Sequence, residues 1–307
     1  MNNYPVVFFV FKRPKYTYDF LSRMSDAGIK KIYVFADGPR TNEEQILTDK
    51  VRAEVARFNQ DHKDLTIITN YSTVNIGLRE NIITGLNSVF SKESAAIIIE
   101  DDCQPSPDFF RFTNAMLSKY QDNEGVMSIN GMSVGGDYED VSYGFTKYPQ
   151  CWGWATWSRS WQMYDPDIKS FNHNSWHMLA GTQKLSTILK YYFEIMFNMV
   201  QKKQINTWDF QWTYAHFTAH ALAVSPSVNL VTNIGFDSAA TNTKMRSSVA
   251  GLVTHDLPSV FIHPTQVFEN ISVSRAIERS FYTNPIAILG LLRQYIYYLW
   301  RAYAHRA

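Results

Sequence analysis

The chain has 307 residues, 45% of them hydrophobic and 19% charged, with a formal net charge of +1 at pH 7. That length and apolar content are enough for a sizeable core in one α/β unit, and they exclude a disordered or fibrous chain. The near-zero charge leaves no global field to draw the protein to nucleic acid, and no run of about eighteen apolar residues is present to span a membrane.

Cys103 and Cys151 are the only cysteines, too few for a disulfide framework and without metal-binding spacing. The first apolar run, Val6 to Phe11, is too short for a secretory core, so a reducing cytoplasm is the expected compartment. Aromatics are abundant, with 18 Tyr, 20 Phe and 8 Trp. Rings in excess of core needs suit sites for flat or amphipathic ligands.

In chain order, Val6 to Phe11 predicts a strand covered on both faces. A helix follows across "KRPKYTYDFLSRMSDAG", with Tyr18, Leu21 and Met24 at helical spacing and Gly28 as its stop. "KKIYVFADGPR" predicts a second strand closed by the turn Asp37-Gly38-Pro39. "NEEQILTDKVRAEVARFN" predicts a second helix with acids early and bases late, as the helix dipole favours. "LTIITN" is the third strand, "NIGLRENIITGLNSVFS" the third helix and "AAIII" the fourth strand. "SPDFFRFTNAMLSKY" is a fourth helix, with Ser106 as cap and Pro107 at its first position. Four β–α units in succession predict an α/β fold with a doubly wound, mostly parallel twisted sheet flanked by helices.

Beyond residue 125 the alternation breaks down. "VMSINGMSV" predicts one strand, Leu185 to Lys203 a long helix, and "ALAVSPSVNLVTNIG" a strand interrupted by a turn. The expected layout is one fused unit. Residues 1–125 form a nucleotide-binding half, 126–275 a half that shapes the second substrate, and 276–307 a basic, aromatic helical tail.

In such sheets ligands sit beyond the carboxyl ends of the strands. Lys12 and Arg13 follow strand one, Asp37 ends strand two, and Glu100, Asp101 and Asp102 end strand four, so polar groups from three strands meet at one rim. Three adjacent carboxylates at the mouth of a buried strand repel one another and need a cation. A hard divalent ion, Mn2+ or Mg2+, takes one or two protein carboxylates and neutralises a diphosphate leaving group. Strand alternation puts Glu100 and Asp102 on one side and Asp101 on the other. The competing reading is an exposed acidic turn that caps the next helix.

Asp209 lies between Trp208 and Phe210, with Trp212 nearby. A carboxylate among rings suits proton abstraction from a sugar hydroxyl, and the alternative is a buried Asp paired with a His or hydroxyl. Trp152, Trp154, Trp157 and Trp161 are either pyranose-facing platforms, with Trp154 the candidate contact, or a core patch. His255 and His263 are candidate late metal ligands, with a structural role as the alternative. The tail "NPIAILGLLRQYIYYLWRAYAHRA" carries Arg293, Arg301 and Arg306. It reads either as a basic segment on the inner face of an anionic membrane or as a terminal helix packed on the domain or a partner subunit.

The apolar strand ending in Glu100-Asp101-Asp102, followed by Pro107-Asp108-Phe109-Phe110, resembles the metal motif of nucleotide-sugar glycosyltransferases with the GT-A fold. It is most similar to the N-acetylglucosaminyltransferase I type and its bacterial relatives from surface-polysaccharide gene clusters. "VVFFVFKRP", "FADGPR", "INTWDFQW", "CWGWATWSRSW" and "NLVTNIGFDSAAT" resemble further segments, so the likeness covers residues 4–245. It implies a GT-A (Rossmann-like) sheet with an acceptor-shaping C-terminal half. It also implies that Asp102 ligates the metal, Asp101 approaches the ribose or diphosphate, and Glu100 reaches the donor sugar. Asp37 would bond the base, Arg13 would lie near the phosphates or base, Arg79 would contact the diphosphate or donor sugar, and Asp209 would be the general base. The relatives often read "ATHT" where this chain has "ATNT", so Asn242 weakens any claim to a metal ligand there.

The function this implies is inverting, Mn2+- or Mg2+-dependent transfer from a nucleoside-diphosphate sugar, with a UDP-linked, UDP-GlcNAc-like donor expected. The acceptor would be a saccharide or lipid-linked oligosaccharide of a capsule or O-antigen type. One rival is a sugar-1-phosphate nucleotidyltransferase, whose usual glycine-rich loop after strand one is replaced here by the glycine-free "FKRPKYT". The other is a non-catalytic carbohydrate-binding protein, which would need the aromatics but not the metal.

Overall fold

A computed structural model describes residues 3–235, 249, 251–285, 287–290 and 293. The predicted alternation is realised as β1 (Val6–Val10), α1 (Pro14–Asp26), β2 (Lys31–Ala36), α2 (Asn42–Asp61), β3 (Thr66–Tyr71), α3 (Leu78–Phe90) and β4 (Ala95–Glu100). A short β5 (Cys103–Pro105) precedes α4 (Pro107–Lys119). The second half holds β6 (Val126–Asn130), β7 (Tyr143–Thr146), β8 (Trp154–Trp157), α5 (Ser158–Trp161), α6 (His173–Thr182), α7 (Thr187–Gln201) and α8 (Asp209–Thr218). It continues through β9 (Leu222–Pro226) and β10 (Val231–Asn233) to α9 (Ile271–Ile277), which runs into a π-helical turn at Glu278–Tyr282.

Eight strands form one sheet in the order β3-β2-β1-β4-β8-β6-β9-β7. β1 to β4, β6 and β9 point one way, and β8 and β7 run against them. The result is a mainly parallel, Rossmann-like sheet flanked by helices. Strands from both sides of residue 125 belong to it, so the two halves share one framework. β10 pairs antiparallel with β5 in a separate ribbon beside the acidic turn.

The central strand explains its own sequence. Val6, Phe8 and Val10 of β1 pack with Phe20, Leu21 and Phe58 on one face. Val7 and Phe9 pack with Ile82, Leu86 and Trp154 on the other. A strand buried on both faces has no polar alternation to keep. A third core lies under α6, α7 and α8 and contains Trp176, Phe193, Phe197 and Phe217.

Some local expectations change. Ser106 occupies the N-cap position of α4, but its buried hydroxyl makes no capping bond and has no partner among the described residues. The chain's start there is set by Pro107 at the first helical position instead. α8 was not predicted because seven consecutive residues, Gln211 to Phe217, are all buried. A helix covered all round carries no amphipathic period. Most of the tail, with Arg301 and Arg306, lies outside the described residues, as does Asn242. No helix among the described residues is long and apolar enough to cross a membrane.

Candidate functional site

β2, β1 and β4 are adjacent and parallel, with Phe9 of β1 level with Glu100 of β4. Their carboxyl ends therefore open on one edge, where a cleft of about 310 Å³ lies between the β1 loop, the β2 turn, the start of α3 and the acidic turn. Arg13, Asp37, Glu100, Asp101 and Asp102 all line it.

Two of these acids are already engaged by the protein itself. Asp37 Oδ1 accepts the backbone N–H groups of Gly38 (2.8 Å) and Ile76 (2.9 Å). Its Oδ2 accepts Gly77 N–H (2.9 Å) and the Asn75 amide (3.0 Å). The turn fits only because position 38 is glycine: a Cβ there would lie 2.3 Å from the Val74 carbonyl carbon. Asp101 Oδ2 accepts Phe11 N–H at 2.8 Å, and Oδ1 takes the Arg13 guanidinium at 2.7 Å. Burial raises the Asp101 carboxyl above its ordinary value, and the Arg13 charge opposes that rise. The base contact expected of Asp37 and the ribose or diphosphate contact expected of Asp101 thus meet carboxylates whose oxygens hold loops of the protein itself.

Glu100 and Asp102 differ. β4 ends at Glu100 and the next two acids form a turn, so the turn rather than strand pleating divides them. No side-chain hydrogen bond reaches the Glu100 carboxylate among the described residues. Burial, then the charges of Asp102, Asp101 and Asp209, push its carboxyl well above the usual range, with Arg13 opposing. Asp102 is partly exposed, 3.9 Å from Arg13 Nη1, and accepts the Cys103 thiol at 3.4 Å. Ile234 N–H bonds the Asp102 carbonyl at 2.7 Å and brings Gly235 against the carboxylate. A Cβ at Gly235 would lie 2.4 Å from Asp102 Oδ2, so glycine keeps that oxygen clear. A cleared carboxylate beside a second, charge-crowded one fits the donor chemistry of a hard divalent cation, with Asp102 and Glu100 as the holding groups.

Asp209 opens α8, where its Oδ1 accepts Phe210 N–H at 3.0 Å and the Thr207 hydroxyl. Its charge reaches Glu100, so chain-distant acids share one field. Burial, with the Asp209 charge contributing, also raises the Cys151 thiol and the Tyr192 and Tyr282 hydroxyls. Asp209 is not among the residues that line the cleft, but its charge is felt by Glu100 and by Tyr192 and Tyr282.

The remaining candidate residues lie outside the cleft lining. Trp154 is 1% exposed and stacks on Trp208, ring centroids 5.5 Å apart, so it supports the residue before Asp209 and does not itself line the cleft. Trp157 and Trp161 are also buried, and Trp152 is half-buried. Arg79 turns away from the cleft: it pairs with Glu80 and donates to the Pro166 carbonyl at 2.9 Å. His263 is held by the Tyr143 hydroxyl at 2.9 Å, and neither it nor His255 lines the cleft.

Sequence reasoning missed part of the lining. The Phe11 ring lies under the Arg40 guanidinium (5.4 Å) and the Lys12 ammonium (5.6 Å). Both cations are tethered by Glu44, whose carboxyl the Arg40 guanidinium holds down at about 2. Asn81, 7% exposed, lines the cleft with no partner for its side-chain amide among the described residues. A buried Asn inside the apolar run of α3 was the available signal, since Asn disfavours helix interiors. Asn206 also lines the cleft, with its amide beside Gly77 at the start of α3.

No protein-family model matches the chain, and no curated protein matches it. By fold it is similar to the mannosyltransferase PcManGT from Pyrobaculum calidifontis in complex with GDP-Man and Mn2+, at 12% identity and TM-score 0.41 over 71% of this chain and 69% of that one. A UDP-glucose pyrophosphorylase complexed with UDP-glucose matches at 11% identity and TM-score 0.32, covering 53% of this chain and 79% of that one. A 4-diphosphocytidyl-2C-methyl-D-erythritol synthase from Anaerococcus prevotii matches at 10% identity and TM-score 0.38, covering 80% and 92%. At these identities and overlaps the likeness concerns fold alone.

Proposed function

We propose that the chain is an inverting glycosyltransferase that uses a divalent cation and a nucleoside-diphosphate sugar to glycosylate a saccharide hydroxyl. One feature of the cleft carries this function: the lining of its roughly 310 Å³ combines the acids Glu100 and Asp102 with Phe11, Arg13 and Arg40. A diphosphate bridged to a cation is the ligand that satisfies both kinds of charge. Asp102 and Glu100 would hold Mn2+ or Mg2+, which when bound offsets the negative charge of the departing diphosphate. Phe11 offers a ring for the base, Arg13 and Arg40 offer charge to phosphate, and the free amide of Asn81 offers a hydrogen bond to the donor. Asp209 accepts the proton of the acceptor hydroxyl, and a single base acting from the acceptor side gives inversion at the anomeric carbon. Tyr192 and Tyr282, within the field of Asp209, offer rings against which the acceptor would rest.

The nucleotidyltransferase alternative is disfavoured because β1 ends at Val10 and α1 starts at Pro14, leaving a short, glycine-free connection. Thermal unfolding with UDP-, GDP- and dTDP-sugars, each with and without Mn2+, tests the proposal. One donor class should raise Tm only with the metal, and that donor should release its nucleoside diphosphate. Absence of a shift with every donor, or pyrophosphate-dependent formation of a nucleoside triphosphate, defeats it.

A further inference from the structure

Away from the cleft, α6 and α7 bring together three ligating groups. His173 and His177 lie one turn apart on α6, a spacing that puts both imidazoles on one face. Glu194 comes from the packed helix α7. His173 Nδ1 contacts one Glu194 carboxylate oxygen, and His177 Nε2 lies 3.1 Å from the other. All three ligating atoms fall within 4.8 Å of one another, and the imidazole centroids are 4.1 Å apart.

The charges make the cluster unusual. Glu194 is only 9% exposed, between the core residues Phe193 and Phe197. A carboxylate buried that far needs a compensating cation, yet among the described residues no Lys or Arg pairs with it. A transition-metal ion would supply that cation, because it takes imidazole nitrogens and a carboxylate oxygen together. The N,N,O donor set suits Zn2+ rather than the all-oxygen ions that the cleft fits. Tetrahedral bonds of about 2.1 Å separate ligand atoms by about 3.4 Å, which lies within the 4.8 Å limit on the present spacing.

The scaffold is stiff where it needs to be. Asn172 and Ser175 cap α6 reciprocally, which fixes the turn that bears His173. Trp176, between the two histidines, donates its indole N–H to the Lys190 carbonyl of α7 at 2.9 Å. We propose that His173, His177 and Glu194 form a Zn2+-type site with one open coordination position, clamping α6 to α7. α7 in turn supports α8 through the contact of Tyr192 with Phe210, next to Asp209, so the clamp steadies the platform of the candidate base.

Calorimetric Zn2+ titration and visible spectroscopy with Co2+ test the site, using the untagged full chain stripped of metal and carrying Asp102→Asn to silence the cleft. One equivalent per chain should bind, with the absorption bands of a four- or five-coordinate N/O site and a rise in Tm. His177→Ala and Glu194→Gln should each weaken binding by about a hundredfold. His173 is 66% exposed, so His173→Ala folds like its parent and should still weaken binding about tenfold. Failure of the parent to take up a stoichiometric ion overturns the proposal, and so does unchanged affinity in folded His173→Ala.

Discussion

The rim of the sheet holds two kinds of acid. Asp37 and Asp101 have their oxygens occupied by backbone N–H groups, an amide and a guanidinium of the same chain. Glu100 and Asp102, two strands from Asp37 and each one residue from Asp101, line the cleft, and Glu100 is crowded by like charge. Position at the carboxyl end of a strand therefore does not by itself identify a ligand-binding acid. The difference lies in whether the fold supplies donors: the first pair builds the walls, and the second pair is the one we propose to hold a cation.

The sharpest way to break that contrast is Asp102→Asn. The side chain holds little of the fold, so Tm should stay close to that of the parent. Loss of the metal's several kcal/mol of transition-state stabilisation should lower turnover about 10³-fold or more and abolish Mn2+-dependent donor binding. A variant that unfolds, or that still binds donor with Mn2+, would put Asp102 among the walls. Asp209→Asn should come next, with a loss in kcat of about 10²-fold or more while Mn2+-dependent donor binding persists. Single-turnover kinetics beside donor calorimetry separates the two effects, and loss of donor binding would remove Asp209 from the role of base.

Asp37→Ala should behave in the opposite way. It strands four donors, three of them backbone N–H groups at a tight turn, at a cost of about 3 kcal/mol. For a chain of this size that is a fall in Tm of roughly 6–12 °C. Turnover of the folded fraction at saturating donor should change far less than in Asp102→Asn. Normal melting combined with lost nucleotide binding would make Asp37 a ligand after all.

These distinctions mark what the sequence could reveal. The first four β–α units were readable because β1, β2 and β4 are buried on both faces and so appear as unbroken apolar runs. The acidic triplet was readable for the same reason, as charge where such a run stops. Which acids the protein would satisfy internally was not readable, because the donors come from residues 75–77 and 11–13, which only the tertiary fold brings near. Trp154 misled because a flat indole suits a sugar or a core equally well. Its burial follows from β8 lying between β4 and β6, out of chain order. His173 and His177 are visible as a pair at helical spacing, but Glu194 joins them only once α7 packs on α6.

The smallest effect concerns Glu100 and depends on pH. Its carboxyl is raised in the folded protein by burial and by Asp102, so the folded state holds that proton more tightly than the unfolded chain does. The corresponding stability is fully present below the ordinary carboxylate pKa of about 4.3 and is lost as pH rises through the elevated folded value. Metal-free Glu100→Gln should therefore melt higher than the parent at neutral pH and nearly level with it at about pH 4. Adding Mn2+ should reverse the order at neutral pH, because the ion binds the charged carboxylate that glutamine lacks. Melting curves across that range, with chelator and with Mn2+, read both signs. If the two proteins keep a constant gap at every pH in chelator, Glu100 is not the strained acid of the pair, and the line between wall and ligand must be redrawn through it.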